Sequence, residues 1–198
     1  MIDINQKLNF MKIYKENITR EGSTELLNWL ENTDFFRAPA STRYHGACEG
    51  GLVTHSISVY NVLINRFFEK NIDEKETFAI CGLLHDVCKI NFYKLSMRNV
   101  KNEITGSWEK QSYYSVDDTF PYGHGEKSVF LIERFMKLKS VEAISIRWHM
   151  GGFDDSVRTG GFSISQSYYK YPLAVKLHSA DLESSYLHEK NTSDMMRR

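Results

Sequence analysis

The stretch TFAICGLLHDVCKI, residues 77 to 90, places two ionisable side chains at the end of an apolar run. His85 and Asp86 are adjacent, they follow Phe78 to Leu84, and Lys89 comes one helical turn later. Burying polar groups without partners costs roughly 2–7 kcal/mol. A metal ion that accepts the imidazole and the carboxylate together removes that cost, and neighbouring residues can share it where a helix frays or bends. More such side chains lie elsewhere in apolar or helix-end settings: His55, His124, His149 and Asp181. Taken singly, each has an ordinary explanation as a satisfied core residue or a solvated helix end. As an ordered set they separate by 30, 38, 25 and 32 residues. Each interval is long enough for one helix to return antiparallel to the next and bring its ligand to a common point in a bundle. Imidazole-rich mixed nitrogen and oxygen ligation favours Fe, Mn, Co, Ni or Zn over Mg.

Helices must position these residues. Residues 3–18 and 23–32 read as amphipathic helices, the second with Leu26, Leu27 and Leu30 on its apolar face and Ser23 and Glu25 at its start. Residues 35–51, FFRAPASTRYHGACEGG, read as an ordered loop because of Pro39, Gly46, Gly50 and Gly51. Arg43, Tyr44 and His45 sit in it, where a loop leading into a helix often carries substrate contacts. Leu52 to Phe68 is helical with His55 close to its buried side, and residues 76–90 form the His–Asp helix. A β-hairpin insert is expected around residues 97–118, rich in Val, Ile, Thr, Tyr and Trp. Its Tyr113 and Tyr114 suit cross-strand packing or stacking on a base. His124 lies between two glycines at the start of a helix running to about Met136, with Lys127 and Ser128 on its face. A short helix, 140–149, ends at His149. Residues 152–165 read as a mobile loop. The last helix runs from Pro172 to about Tyr186 and carries Asp181, with His178 on the same face. The tail from His188 to Arg198 is polar and expected to fray.

Bulk properties narrow the function classes. The 198 residues suit one domain over 1–198, with the N-terminal helices in 1–34 and the core in 52–190. Basic and acidic residues balance at 25 each, without the basic excess of most nucleic-acid or membrane-surface binders. No apolar run approaches the ~20 residues that span a bilayer. The N-terminus has no signal-peptide pattern, so a cytoplasmic location without membrane association is expected. Cys48, Cys81 and Cys88 lack CxxC spacing and read as small buried hydrophobes, with Cys81 and Cys88 on one helix face.

The ordered set resembles the HD-domain superfamily of metal-dependent phosphohydrolases. HDVCK resembles that family's HD-x-x-K, GGLVTHSISV the segment with its first histidine, and SADLES the segment with its terminal aspartate. The likeness covers roughly residues 40 to 190. It is nearest to small stand-alone HD proteins of bacteria and phages, on APASTRYHGACEGGL and GHGEKS. The resemblance implies an all-α bundle and a first metal held by His55, His85, Asp86 and Asp181. It likens His124 and His149 to the extra pair of two-metal members, in which Asp86 bridges the ions. The alternatives are one metal with His124 and His149 on substrate, or a degraded site.

The expected activity is hydrolysis of a phosphate ester by a metal-activated water. The substrate is expected to be a small phosphorylated compound, a nucleotide as phosphomonoester or small phosphodiester. Lys89, at i+4 from His85, is placed to neutralise a phosphate or to pair with a neighbouring helix. Lys127 and Arg43 are further candidates for substrate contact, and His178 for orienting a ligand. Two rivals remain. One is a nuclease on single-stranded DNA or RNA, using Lys94, Arg98 and Lys101 near Tyr113 and Tyr114. The other is a non-catalytic nucleotide sensor that keeps its metals for structure.

Overall fold

A computed structural model describes residues 4–189. Its organising element is helix α4, Lys75–Leu84, in which every residue from Thr77 to Leu84 is buried. A helix apolar on all sides belongs in the middle of a bundle. Around it pack α1 (Ile4–Asn17), α3 (Gly51–Phe67) and α6 (Ser140–Arg147), and α3 also packs on α9 (Pro172–Glu183). Helix α2 (Ser23–Glu31) adds Leu26, Leu27 and Leu30 to the core. Phe10, Phe35, Phe78, Leu63 and Ile132 are fully buried with them. The all-α bundle with a hairpin insert is therefore the observed architecture. The tail expected from His188 to Arg198 lies outside the described residues from 190 onward.

Two glycines set the spacing of the helices around the candidate site. A Cβ on Gly82 would stand 2.6 Å from the Cα of Tyr60, so α4 and α3 touch backbone to backbone. A Cβ on Gly125 would stand 2.2 Å from the carbonyl oxygen of Arg147, which brings α5 (His124–Glu133) equally close to α6. A charged staple ties the far end together. The Arg20 guanidinium donates to both oxygens of the fully buried Glu142 at 2.7 Å and also reaches Glu76, while Thr77 donates to Glu142 at 2.8 Å.

Several boundaries differ from the sequence expectation. The His–Asp helix does not run through residues 76–90. It stops at Leu84, Asp86 leaves helical geometry at φ -109, and Val87–Lys89 form one 3-10 turn. Cys81 and Cys88 therefore do not share a helix. The hairpin begins earlier than residue 97: β1 (Tyr93–Lys101) pairs antiparallel with β2 (Trp108–Val116), from Tyr93 opposite Val116 to Lys101 opposite Trp108. Residues 152–165 are not a plain loop. A 3-10 turn at Gly151–Phe153 and the short helix α7 (Asp155–Arg158) fill it, and α8 (Ser163–Lys170) starts within it. Asp154 caps α7 by accepting from the Ser156 amide at 2.9 Å and is held by Arg147 at 2.7 Å. The last α-helix ends at Glu183 and passes into a π turn, Ser184–His188.

Candidate metal centre

The break after Leu84 turns His85 and Asp86 inward together. Both are buried, as are His55 and His149. Asp86 lies at the centre, and its two oxygens face different histidines. Oδ2 is 3.5 Å from His55 Nε2 and 3.6 Å from His85 Nε2. Oδ1 is 2.8 Å from His124 Nε2 and 3.4 Å from His149 Nε2. Asp181, on α9, brings Oδ1 to 3.2 Å from His55 Nε2. Helices α3, α5 and α9, with the turns that end α4 and α6, thus bring the six side chains singled out from sequence to one place.

The proton positions follow from the partners. His85 Nδ1 lies 3.0 Å from the Gly82 carbonyl and His149 Nδ1 lies 2.6 Å from the Ile146 carbonyl. A carbonyl only accepts, so both Nδ1 atoms carry a proton, and in the neutral ring it is Nε2 that offers a lone pair to a metal. His85 Nε2 points at His55 Nε2, 3.2 Å away. His149 Nε2 is buried without a hydrogen-bond partner. Lone pairs gathered around a carboxylate repel one another unless a cation lies among them, and this donor set suits a divalent transition ion. The donor atoms group as His55–His85–Asp86 and as Asp86–His124–His149, with His85–His149–Asp181 linking them. These clusters could hold one or two metal ions.

Without metal the same atoms compete for protons. Burial disfavours a charge on His55, yet hydrogen bonds to Asp181 and Glu189 raise its pKa to about 10. Burial likewise opposes charge on His124, but Cys88 and Asp86 raise it to about 10. Burial pushes His85 down to about 3. Asp86 is held well below the carboxylate range, because Lys89 and His85 outweigh the cost of burial.

Other residues fall into place around this cluster. The Lys89 ammonium lies 2.6 Å from Asp86 Oδ2, so its ion pair is with its own turn and not with a neighbouring helix. Lys127 is buried, pairs with Asp118 at 2.6 Å and lies near the rings of Phe92 and Phe120. Arg43 is exposed on the loop before α3. His178 donates from Nδ1 to the His149 carbonyl at 2.6 Å, which supports the segment carrying that ligand. A cleft of about 240 Å³ opens beside His124, lined by Gly123, Glu126, Met150, Phe153 and Asp154. The Glu126 and Asp154 carboxylates there are both paired with Arg147.

Three contacts escaped the sequence reading. Glu189, assigned there to a fraying tail, accepts from His55 Nδ1 at 2.7 Å. His45 packs its ring 5.0 Å from that of His55. It had a signal, since it stands in RYHG just ahead of α3, but spacing alone does not tell a ring packed against His55 from a loop residue. Cys88 is not merely a buried hydrophobe, because its sulfur lies 3.5 Å from both ring nitrogens of His124. Cys48 is exposed, against the expectation that all three cysteines are buried.

Among the described residues, no helix is long and apolar enough to cross a membrane. Compared with known proteins, the chain matches no family model, no curated protein and no solved structure.

Proposed function

We propose that this protein is a metal-dependent phosphohydrolase of the HD type that cleaves a phosphate ester of a nucleotide. The observation that carries this reading is the split environment of Asp86, with Oδ2 toward His55 and His85 and Oδ1 toward His124 and His149. His55, His85, Asp86 and Asp181 would hold one ion, and Asp86 with His124 and His149 would hold a second. Bound there, divalent ions would neutralise the phosphoryl oxygens and lower the pKa of a water.

The chain's own residues do the rest. Carbonyls of Gly82 and Ile146 fix the tautomers of His85 and His149, so that Nε2 faces the reaction centre. Lys89 counters the negative charge of Asp86 and supplies a cation for the substrate phosphate. Its buried ammonium stays charged, because the Asp86 carboxylate overcomes the cost of burial. The cleft beside His124 would give the phosphate a way in, and Arg147 pairs with Glu126 and Asp154 on its rim. Arg43 and Lys127 remain the further candidates for contact with the substrate. In the net reaction a water oxygen bonds to phosphorus, the ester P–O bond breaks, and a proton goes to the departing alkoxide.

The test is elemental analysis of the purified protein together with a hydrolysis screen in added Mn. The screen covers nucleoside mono-, di- and triphosphates, linear and cyclic dinucleotides, and a short oligonucleotide. The expected result is one to two transition metals per chain and cleavage of one substrate class. Metal without turnover of any ester, but with tight nucleotide binding, would replace this reading with a sensor. No metal after reloading would remove it.

A further inference from the structure

The hairpin β1–β2 extends from the segments that carry the candidate metal site. Both of its roots connect along the chain to the centre: β1 begins four residues after Lys89, and β2 leads back toward His124. Each strand has nine residues, which at about 3.3 Å per residue extends roughly 30 Å. Most of these side chains are exposed, although an isolated two-stranded hairpin is marginal in water.

Strand pleat and register define its two faces. One face carries, from root to tip, Tyr93 opposite Val116, Leu95 opposite Tyr114, Met97 opposite Ser112, Asn99 opposite Lys110, and Lys101 opposite Trp108. Leu95 is 65%, Met97 59% and Trp108 70% exposed, values expected of a face awaiting a partner. No carboxylate stands on the strands in this row, and the nearest one acting on it is Glu49, beside Tyr114 toward its root. Lys101 and Lys110 are exposed, and no ion pair holds either of them among the described residues. At the root, the Tyr93 hydroxyl donates to the Ala40 carbonyl at 3.3 Å, and the ring's charge environment includes Lys89 and Asp86. The face is thus a row of aromatic and apolar groups with lysines at its outer end, leading to the candidate centre.

We propose that this hairpin face is a docking surface for single-stranded nucleic acid, which it leads toward the metal centre. Aromatic rings that stack on bases, beside cations that meet phosphates, are what a single strand needs for sequence-tolerant binding. A two-fold contact of the face with itself would offer its lysines no carboxylate. The choice of a polymer over a membrane surface rests on the phosphohydrolase reading above, because the face ends at a candidate phosphoester site. It makes the preferred ester a phosphodiester of a strand rather than of a free nucleotide.

The experiment is fluorescence anisotropy of a labelled single-stranded oligonucleotide with the full chain kept in chelator, so that it is not cut. Wild type should bind with an affinity that falls steeply with salt. W108A should weaken binding about 10-fold, since base stacking contributes about 1–3 kcal/mol per base. K101E/K110E should weaken it further and flatten the salt dependence. Both variants should hydrolyse bis(p-nitrophenyl) phosphate like wild type when loaded with Mn. Failure of wild type to bind any strand, or equal binding by the variants, overturns the proposal. Binding to anionic vesicles without oligonucleotide binding overturns it in favour of a membrane surface. A dimer lost in W108A, without oligonucleotide binding, overturns it in favour of a second copy. Oligonucleotide binding that depends on Trp108 and the lysines, without turnover of any ester, leaves the docking surface standing and removes the hydrolase reading alone.

Discussion

Asp86 touches four histidines and one lysine through two oxygens, so one substitution tests the whole centre. Asp86→Ala should abolish hydrolysis and remove at least one metal equivalent by elemental analysis; full activity with full metal content would sink the site. Glu189 acts at one remove, by fixing His55 through Nδ1. Outer partners of this kind are worth about 10–100-fold in metal affinity. Glu189→Gln should therefore weaken loading by that order in a competition titration, and Glu189→Asp should recover part of it. Protons give a third test. His55 and His124 titrate near 10 in the metal-free protein, above the ordinary histidine value, so each must lose a proton to ligate. Metal binding should release protons and tighten from pH 6 to 8.5, as calorimetry in buffers of different ionisation enthalpy would read. In the metal-free protein the sign reverses. The stability these two contribute is full below about 6.5, their unfolded value, and is lost as pH rises through about 10. Much of this was legible in sequence: His55, His85, Asp86, His124, His149 and Asp181 do converge. Glu189 was not, because a glutamate in a polar stretch carries no mark of where the chain will fold back.

At the scale of elements, close helix contact and one charged staple hold the ligands in place. Gly82→Ala would drive a methyl into the Tyr60 backbone. Overpacking of this kind typically costs about 1–3 kcal/mol. Because His55 and His85 ride on the two helices involved, metal affinity should fall along with the melting temperature. The buried Glu142 takes two bonds from Arg20 and one from Thr77. Arg20→Ala should destabilise by about 3–5 kcal/mol in denaturant unfolding, because it leaves a buried carboxylate uncompensated. It lies far from the ligands in sequence and role, so the metal content of the folded fraction should not change. The elements themselves were foreseen because helical periodicity survives locally. The stop at Leu84 was not: the apolar run and Lys89 continue the helical pattern, whereas the inward demand on both His85 and Asp86 breaks it. The same holds for residues 152–165, whose Gly and Asp read as a loop until Arg147 pins Asp154 and the cap forms.

For the molecule as a whole, metal and fold should be linked. Five helices or their ends converge on one cluster, so any ion that binds the native state alone adds to stability. At a free metal concentration about 100 times Kd the gain is about 2.7 kcal/mol. That corresponds to a rise of roughly 5–10 °C in Tm for a chain of this size, readable by differential scanning fluorimetry; a metal-independent Tm would argue against a shared site. By itself the sequence determined the helical class, the presence of an insert and the identity of the six clustered side chains. Those follow from periodicity, composition and the cost of burying charge, which are local properties. Only the tertiary structure decided that the two Asp86 oxygens face opposite histidine pairs, that Lys127 is held by Asp118, and that the hairpin carries its apolar row outward. Those depend on which backbone approaches which, and that is fixed by contacts between residues far apart in the chain, such as Gly82 against Tyr60 and Gly125 against Arg147.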